Sequence, residues 1–193
     1  MIRKTILALG LVCFASAPAW ALLGAGFGVR GGLVSNYQIG GTPPGIPIPK
    51  KLTMIGVHSA FSRIPALVVE GSLEYNWKQE SYNDPIYGNY KLRINDFSAN
   101  AFAKVRFPVM TLKPYLGVGL GLHKLVYSVS NAAGTVPIPD DLTRPAYHAL
   151  AGVAFTPPLM PFELFGEYRW TWVNTPDKKT KFPTLLAGVT LKM

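Results

Sequence analysis

The sequence predicts an all-β fold, an eight-stranded antiparallel up-and-down transmembrane β-barrel, on three observations. Segments of roughly ten residues alternate apolar and polar side chains, the period-two mark of a strand with two unlike faces. Charged residues make up 15% of the chain, against about 25% in typical soluble proteins. No apolar run after the N-terminus suits a spanning helix. A long uncharged stretch, Pro145 to Phe162, holds Pro145, Pro157, Pro158 and Pro161, which a helix tolerates poorly. Alternating strands suit such a chain, because they dilute lipid-facing residues twofold with polar ones.

Residues 1–21 are expected to be a cleaved secretory signal peptide. Arg3 and Lys4 make a basic start, Thr5 to Phe14 is mostly apolar, and Ala19-Trp20-Ala21 fits the small-x-small cleavage rule. A retained anchor helix is disfavoured by the short apolar core. A lipoprotein is disfavoured by bulky Val12 before Cys13. Residues 22–193 then form one domain with no cysteine, exported without a disulfide framework.

Eight segments follow in order. The first, about Leu23 to Leu33, sets Leu23, Ala25, Phe27, Val29 and Leu33 against Gly24, Gly26, Gly28, Arg30 and Gly32. In the second, about Leu52 to Ser62, Ile55, Val57 and Phe61 oppose Gly56, His58 and Ser62. The third, Leu67 to Lys78, has the sharpest contrast. Leu67, Val69, Leu73, Tyr75 and Trp77 share one face; Val68, Glu70, Ser72, Glu74, Asn76 and Lys78 share the other. The fourth, about Tyr90 to Phe107, turns Phe97, Ala99, Ala101, Ala103, Val105 and Phe107 outward, but Leu92 and Ile94 have the opposite parity. A bulge near Asn95-Asp96 is therefore expected. The fifth, about Lys113 to Ser128, sets Leu116, Val118, Leu120, Leu122 and Val126 against Gly117, Gly119, Gly121 and His123. The sixth, Tyr147 to Thr156, turns Ala149, Ala151, Val153 and Phe155 to lipid. The seventh, Phe162 to Trp172, carries Leu164, Tyr168, Trp170 and Trp172 outward. The eighth, about Thr184 to Met193, carries Leu185, Ala187, Val189, Leu191 and Met193 outward.

The connections alternate in length. Ser35–Lys51, Gln79–Asn89, Val129–Ala146 and Val173–Lys181 are long; Arg63–Pro65, Pro108–Leu112 and Pro157–Pro161 are short. Outer-membrane barrels have short periplasmic turns and longer external loops. On that frame Tyr75, Trp77, Tyr127, Tyr147, Trp170 and Trp172 lie at the external end. Phe61, Phe107, Tyr115, Phe155 and Phe162 lie beside the short turns. The expectation is two aromatic girdles, one at each interface.

With P-Y-L-G-V-G-L-G-L at 114–122, F-E-L-F-G-E-Y-R-W at 162–170 and L-L-A-G-V-T-L-K-M at 185–193, the chain resembles the small eight-stranded outer-membrane β-barrel superfamily of Gram-negative bacteria, the porin-like proteins. The resemblance covers the whole mature chain and rests on pattern. It implies residence in the outer membrane and insertion by the barrel-assembly machinery. That machinery usually reads a terminal outward aromatic, where this chain has Met193. A soluble periplasmic lipocalin-like binding barrel is the alternative architecture, but its outer face is densely charged, whereas here the polar parity is rich in Gly, Ser and Asn.

Arg30, Glu70, Glu74, Lys104, Arg106, Glu163, Glu167, Arg169 and Lys192 fall on the lumen parity. Eight strands enclose a space that side chains just fill, and buried charges must be paired. A structural charge network is therefore expected, with Lys104 and Arg106 near Glu163 and Glu70, and Arg30 and Arg169 near Glu74 and Glu167. The sharper alternative is a Glu167–Arg169 gate for small solutes. Inward glycines on the first and fifth segments either leave voids or admit long side chains.

No enzyme activity, cofactor or metal is expected. A lipid-modifying enzyme needs its site on the lipid-facing surface or rim. His58-Ser59, the one adjacent His–Ser, points to opposite faces. His123 and His148 are lumen polar residues on this parity, and Gly117-x-Gly119-x-Gly121 lacks the helix start that phosphate binding needs. The 19 basic residues lose Arg3 and Lys4 with the leader, leaving 17 against 10 acidic. They form no run with exposed aromatics, so no nucleic-acid partner is expected. Lys178, Lys179 and Lys181 are candidate contacts for lipopolysaccharide phosphates, or a solvated loop. A monomer in outer-membrane lipid, with a structural or surface-interaction role, is the expectation.

Overall fold

A computed structural model describes residues 24–37, 50–64, 66–84, 88–107, 111–131, 134–138, 143–175 and 180–192. The expected leader, the Pro-rich stretch 40–49, Lys178, Lys179 and Met193 lie outside the described residues, as does the side chain of Tyr127.

The described strands are β1 (Ala25–Val34), β2 (Leu52–Ile64), β3 (Leu67–Asp84), β4 (Gly88–Arg106), β5 (Leu112–Asn131), β6 (Gly134–Ile138), β7 (Thr143–Phe155), β8 (Phe162–Val173) and β9 (Thr180–Lys192). Eight of them pair antiparallel around a ring: β1 with β2, β2 with β3, β3 with β4, β4 with β5, β5 with β7, β7 with β8, β8 with β9, and β9 back to β1. Closure leaves no edge strand at membrane depth, where an unpaired peptide group has no water to turn to. Strand β6 is the ninth. It pairs with Tyr127–Asn131 of β5, beyond the point where β7 leaves that strand.

The exterior is apolar. Val29, Leu73, Leu120 and Leu185 each expose more than half of their surface, and successive lumen residues between them are buried. Among the described residues no helix is long and apolar enough to cross a membrane; the crossing elements are strands. The arrangement is the reverse of a soluble barrel, whose apolar face turns inward. The lipocalin-like architecture is thereby excluded.

Three sequence expectations are corrected. First, β4 has no bulge at Asn95-Asp96. Its register with β3 runs unbroken from Leu67↔Val105 to Asp84↔Gly88, and with β5 from Arg106↔Tyr115 to Lys91↔Ser130. Leu92 and Ile94 are inward like Asp96 and Ser98, and buried. They join Val34, Leu52, Met54, Leu125, Val173 and Phe182 in an apolar interior layer at the long-loop end. The parity of the strand is constant; the chemistry of the lumen changes with height. The register shift that does occur lies between Phe61 and Ile64 on β2.

Second, Gln79–Asn89 is mostly strand. The β3–β4 hairpin stays paired to Asp84↔Gly88. Tyr82 stacks on Tyr90 at 5.5 Å and Arg93 donates to Gln79 at 2.9 Å. Beyond the lipid both faces meet water, so apolar alternation stops while pairing continues.

Third, Tyr115 is not part of a girdle. It has the parity opposite to the exposed Leu116 and lies buried in the lumen. There its hydroxyl has a carboxylate partner that lipid would not supply.

Glycine makes the crowded lumen feasible. A Cβ on Gly28 would stand 2.0 Å from the Val189 carbonyl oxygen and 2.4 Å from the His58 ring; one on Gly119 would stand 2.3 Å from the Phe102 ring. The inward glycines are therefore filled by neighbouring side chains.

Candidate functional site

The lumen at mid-height is crossed by one ion-pair cluster. Alternation turns Arg30 on β1, Glu70 and Glu74 on β3, Lys104 on β4, and Glu167 and Arg169 on β8 inward, and all six are buried. Lys104 bridges two walls, its Nζ 2.9 Å from Glu70 Oε2 and 2.8 Å from Glu167 Oε2. The Arg30 guanidinium donates to Glu70 and reaches Glu74 Oε1 at 3.4 Å. Arg169 Nη1 donates to both Glu74 oxygens at 3.0 Å, and Ser72 Oγ adds a bond to Glu74 at 2.9 Å. Three cations thus meet three carboxylates, and the cluster is neutral. Tyr115 donates its hydroxyl to Glu167 Oε2 at 3.1 Å. Aromatic faces wrap the cations: Lys104 lies 5.1 Å from the Tyr115 centroid and Arg169 lies 4.9 Å from that of Phe102, contacts worth about 0.5–2 kcal/mol each.

Within this cluster pairing is incomplete at one place. Arg169 Nε and Glu167 Oε1 are 3.4 Å apart without hydrogen-bond geometry. Arg169 Nη2 also has no hydrogen-bond partner among the described residues.

Above this cluster Asp96 accepts from His123 Nδ1 at 2.9 Å and from Asn76 Nδ2 at 3.0 Å. Asn100 Oδ1 is an acceptor, so His148 Nε2 carries the hydrogen of their 3.1 Å bond, and its Nδ1 accepts from Thr171 at 3.1 Å. Below the cluster, at the short-turn mouth, Glu163 faces Arg106 at 2.8 Å, Lys192 at 2.8 Å and Lys113 at 3.7 Å. Lys104 pairs with Glu70 and Glu167 rather than with Glu163.

Sequence parity missed Asp96, which was hidden by the apolar Leu92 and Ile94 above it. It also missed Lys113, which has the inward parity of Tyr115 and was legible on that count. His58 points into the lumen and bonds Thr190 Oγ1 at 2.8 Å. Ser59 has the outward parity of Val57, so the two side chains diverge.

At the long-loop end Tyr75 stacks between Trp77, at 5.3 Å, and Phe97, at 4.5 Å. Trp170 meets Tyr168 edge-on at 4.5 Å, and Trp172 faces Tyr147 across the β7–β8 ladder. Lys181 is exposed beside Trp172. At the opposite end Phe107 and Phe155 are exposed, and Phe61 and Phe162 are half-buried.

No protein-family model matches the chain, and no curated protein matches it in sequence. Solved structures do match. Neisserial surface protein A (NspA) is similar over 88% of this chain and 96% of its own, at 18% identity and a TM-score of 0.58. Ail, the attachment invasion locus protein of Yersinia pestis, in complex with the heparin analogue sucrose octasulfate, is similar over 88% and 99%, at 15% identity and 0.59. A major outer membrane protein from Thermus thermophilus is similar over 88% and 99%, at 11% identity and 0.53. At these identities the likeness concerns the fold. That fold is the one shared by the small eight-stranded outer-membrane β-barrels.

Proposed function

We propose that this protein is exported to the bacterial outer membrane, inserted there by the barrel-assembly machinery, and serves as a closed monomeric barrel with a structural and surface-interaction role. The observation that carries this reading is the neutral cluster of Arg30, Glu70, Glu74, Lys104, Glu167 and Arg169, which ties opposite walls together. A lumen filled by paired charges has little room for a solute stream, so work falls to the exterior. The hairpin ends of β3 and β4 and the exposed Lys181 support a surface role. The complex of Ail with a sulfated sugar analogue supports polyanion contact by analogy of fold. In this reading Lys178, Lys179 and Lys181 meet lipopolysaccharide phosphates, a low-dielectric interface strengthening the attraction.

Two measurements test it. In planar bilayers the folded protein gives no current above leak; discrete conductance steps would defeat the closed-barrel reading. A triple Lys178→Gln, Lys179→Gln, Lys181→Gln variant retains less lipopolysaccharide on purification. Unchanged retention and unchanged sensitivity to divalent-cation chelation would defeat the phosphate contact.

A second reading, slight passage of small ions, rests on the incompletely paired Glu167 and Arg169. It requires that Glu167→Gln alter a measurable conductance. A lipid-modifying enzyme is the competing class, and the divergence of His58 and Ser59 weighs against it.

A further inference from the structure

Among the described residues, the short-turn mouth holds more positive charge than it neutralises. Arg106, Lys113 and Lys192 converge on one carboxylate, Glu163, at 2.8, 3.7 and 2.8 Å. Thr156 Oγ1 sits among them: both lysines donate to it at 3.0 Å, and it donates to Glu163 at 3.0 Å. Arg106 Nε is buried with no hydrogen-bond partner among the described residues. The group therefore has an excess of two positive charges, unlike the neutral cluster above it.

Arg106, Lys113, Lys192 and Glu163 line a cavity of about 260 Å³ whose other walls include Gly26, Ala60, Ser62 and Thr190. Ala60 and Ser62 on β2 present only short side chains to it. Among the described residues Glu163 is the one carboxylate lining the cavity, and it is shared among all three cations. Lys113 and Lys192 remain partly exposed, so a ligand has access from the mouth.

We propose that this mouth is a binding site for a phosphate group, held by Arg106, Lys113 and Lys192. Free phosphate, as a dianion, matches the uncompensated charge and a lipid phosphodiester, a monoanion, offsets half of it; the oxygens of either accept charge-assisted bonds from several directions, as converging guanidinium and ammonium groups supply them. The phosphate comes either free from solution or as the headgroup of a phospholipid at the adjacent leaflet.

The test uses the full mature chain folded in phosphate-free maltoside micelles and titrated calorimetrically with inorganic phosphate. In parallel, the chain is placed in nanodiscs of phosphatidylcholine with and without phosphatidylglycerol, where ³¹P relaxation reads headgroup immobilisation. Binding in the first arm identifies free phosphate, and binding only in the second identifies the lipid headgroup; each supports the site. Lys192→Gln, at the most exposed of the three cations, keeps the heat-modifiable gel mobility and weakens binding roughly threefold to tenfold. Lys113→Gln with Lys192→Gln abolishes it. Lys51→Gln removes the same charge from an exposed lysine at the other end of the barrel and leaves binding unchanged. Absence of binding in both arms, or equal weakening by Lys51→Gln, overturns the proposal.

Discussion

Lys104 and Glu167, 63 positions apart in sequence, meet at 2.8 Å inside the barrel, and the same ammonium holds Glu70 at 2.9 Å. One side chain on β4 thus joins β3 to β8. Such a cross-link contributes to stability only while every charge keeps a partner, because desolvation costs several kcal/mol per ion.

Lys104→Met leaves Glu70 and Glu167 short of a cation. Unfolding in urea from micelles is expected to show a loss of about 3–5 kcal/mol. A loss below about 1 kcal/mol would mean that water solvates the lumen and the cluster is not sealed.

Glycine substitutions separate the two faces of the wall. Gly28→Ala drives a methyl into the Val189 carbonyl and the His58 ring, and is expected to cost at least about 1–3 kcal/mol. Gly166→Ala adds a methyl with nothing within 4 Å, on the lipid-facing parity of Leu164 and Tyr168. Its unfolding midpoint is expected to stay within measurement error. Equal effects of the two changes would show that the assigned faces are wrong.

Leu159, at the tip of the β7–β8 turn, is held at a φ of 64° and fully exposed. A branched side chain in the left-handed region costs roughly 1–2 kcal/mol, and here no burial offsets it. Leu159→Gly is expected to raise stability by about 1 kcal/mol. A drop instead would reveal a contact made by the leucine in the membrane interface.

The three tryptophans beyond the expected leader, Trp77, Trp170 and Trp172, cluster at one level near the long-loop end. Lipids brominated near the headgroup are expected to quench their fluorescence more than lipids brominated at the chain terminus. The reverse order would place this level at the bilayer centre. The same sample should change gel mobility on boiling, as a folded barrel does; an unshifted band would count against the barrel.

Where alternation was strong the strands were legible, and where it lapsed they were not. Segments such as Leu67–Lys78 sit between lipid and a polar lumen, so their two environments differ and the side chains record the difference. At Gln79–Asp84 both faces meet water, and strand pairing left no periodic trace. At Leu92 and Ile94 the lumen itself becomes apolar, which mimicked a change of parity. Tyr115 has the height of a girdle residue near a short turn, but its parity points inward.

The sequence alone determined the barrel class, the lipid-facing side and most of the charges that enter the lumen, because those properties follow from the two-residue repeat of a strand. Tertiary structure decided which charges meet. Partners such as Lys104 and Glu167, or Asp96 and His123, depend on how far each strand slides against its neighbours around a closed ring. That slide is fixed by all eight interfaces together, and no single segment encodes it.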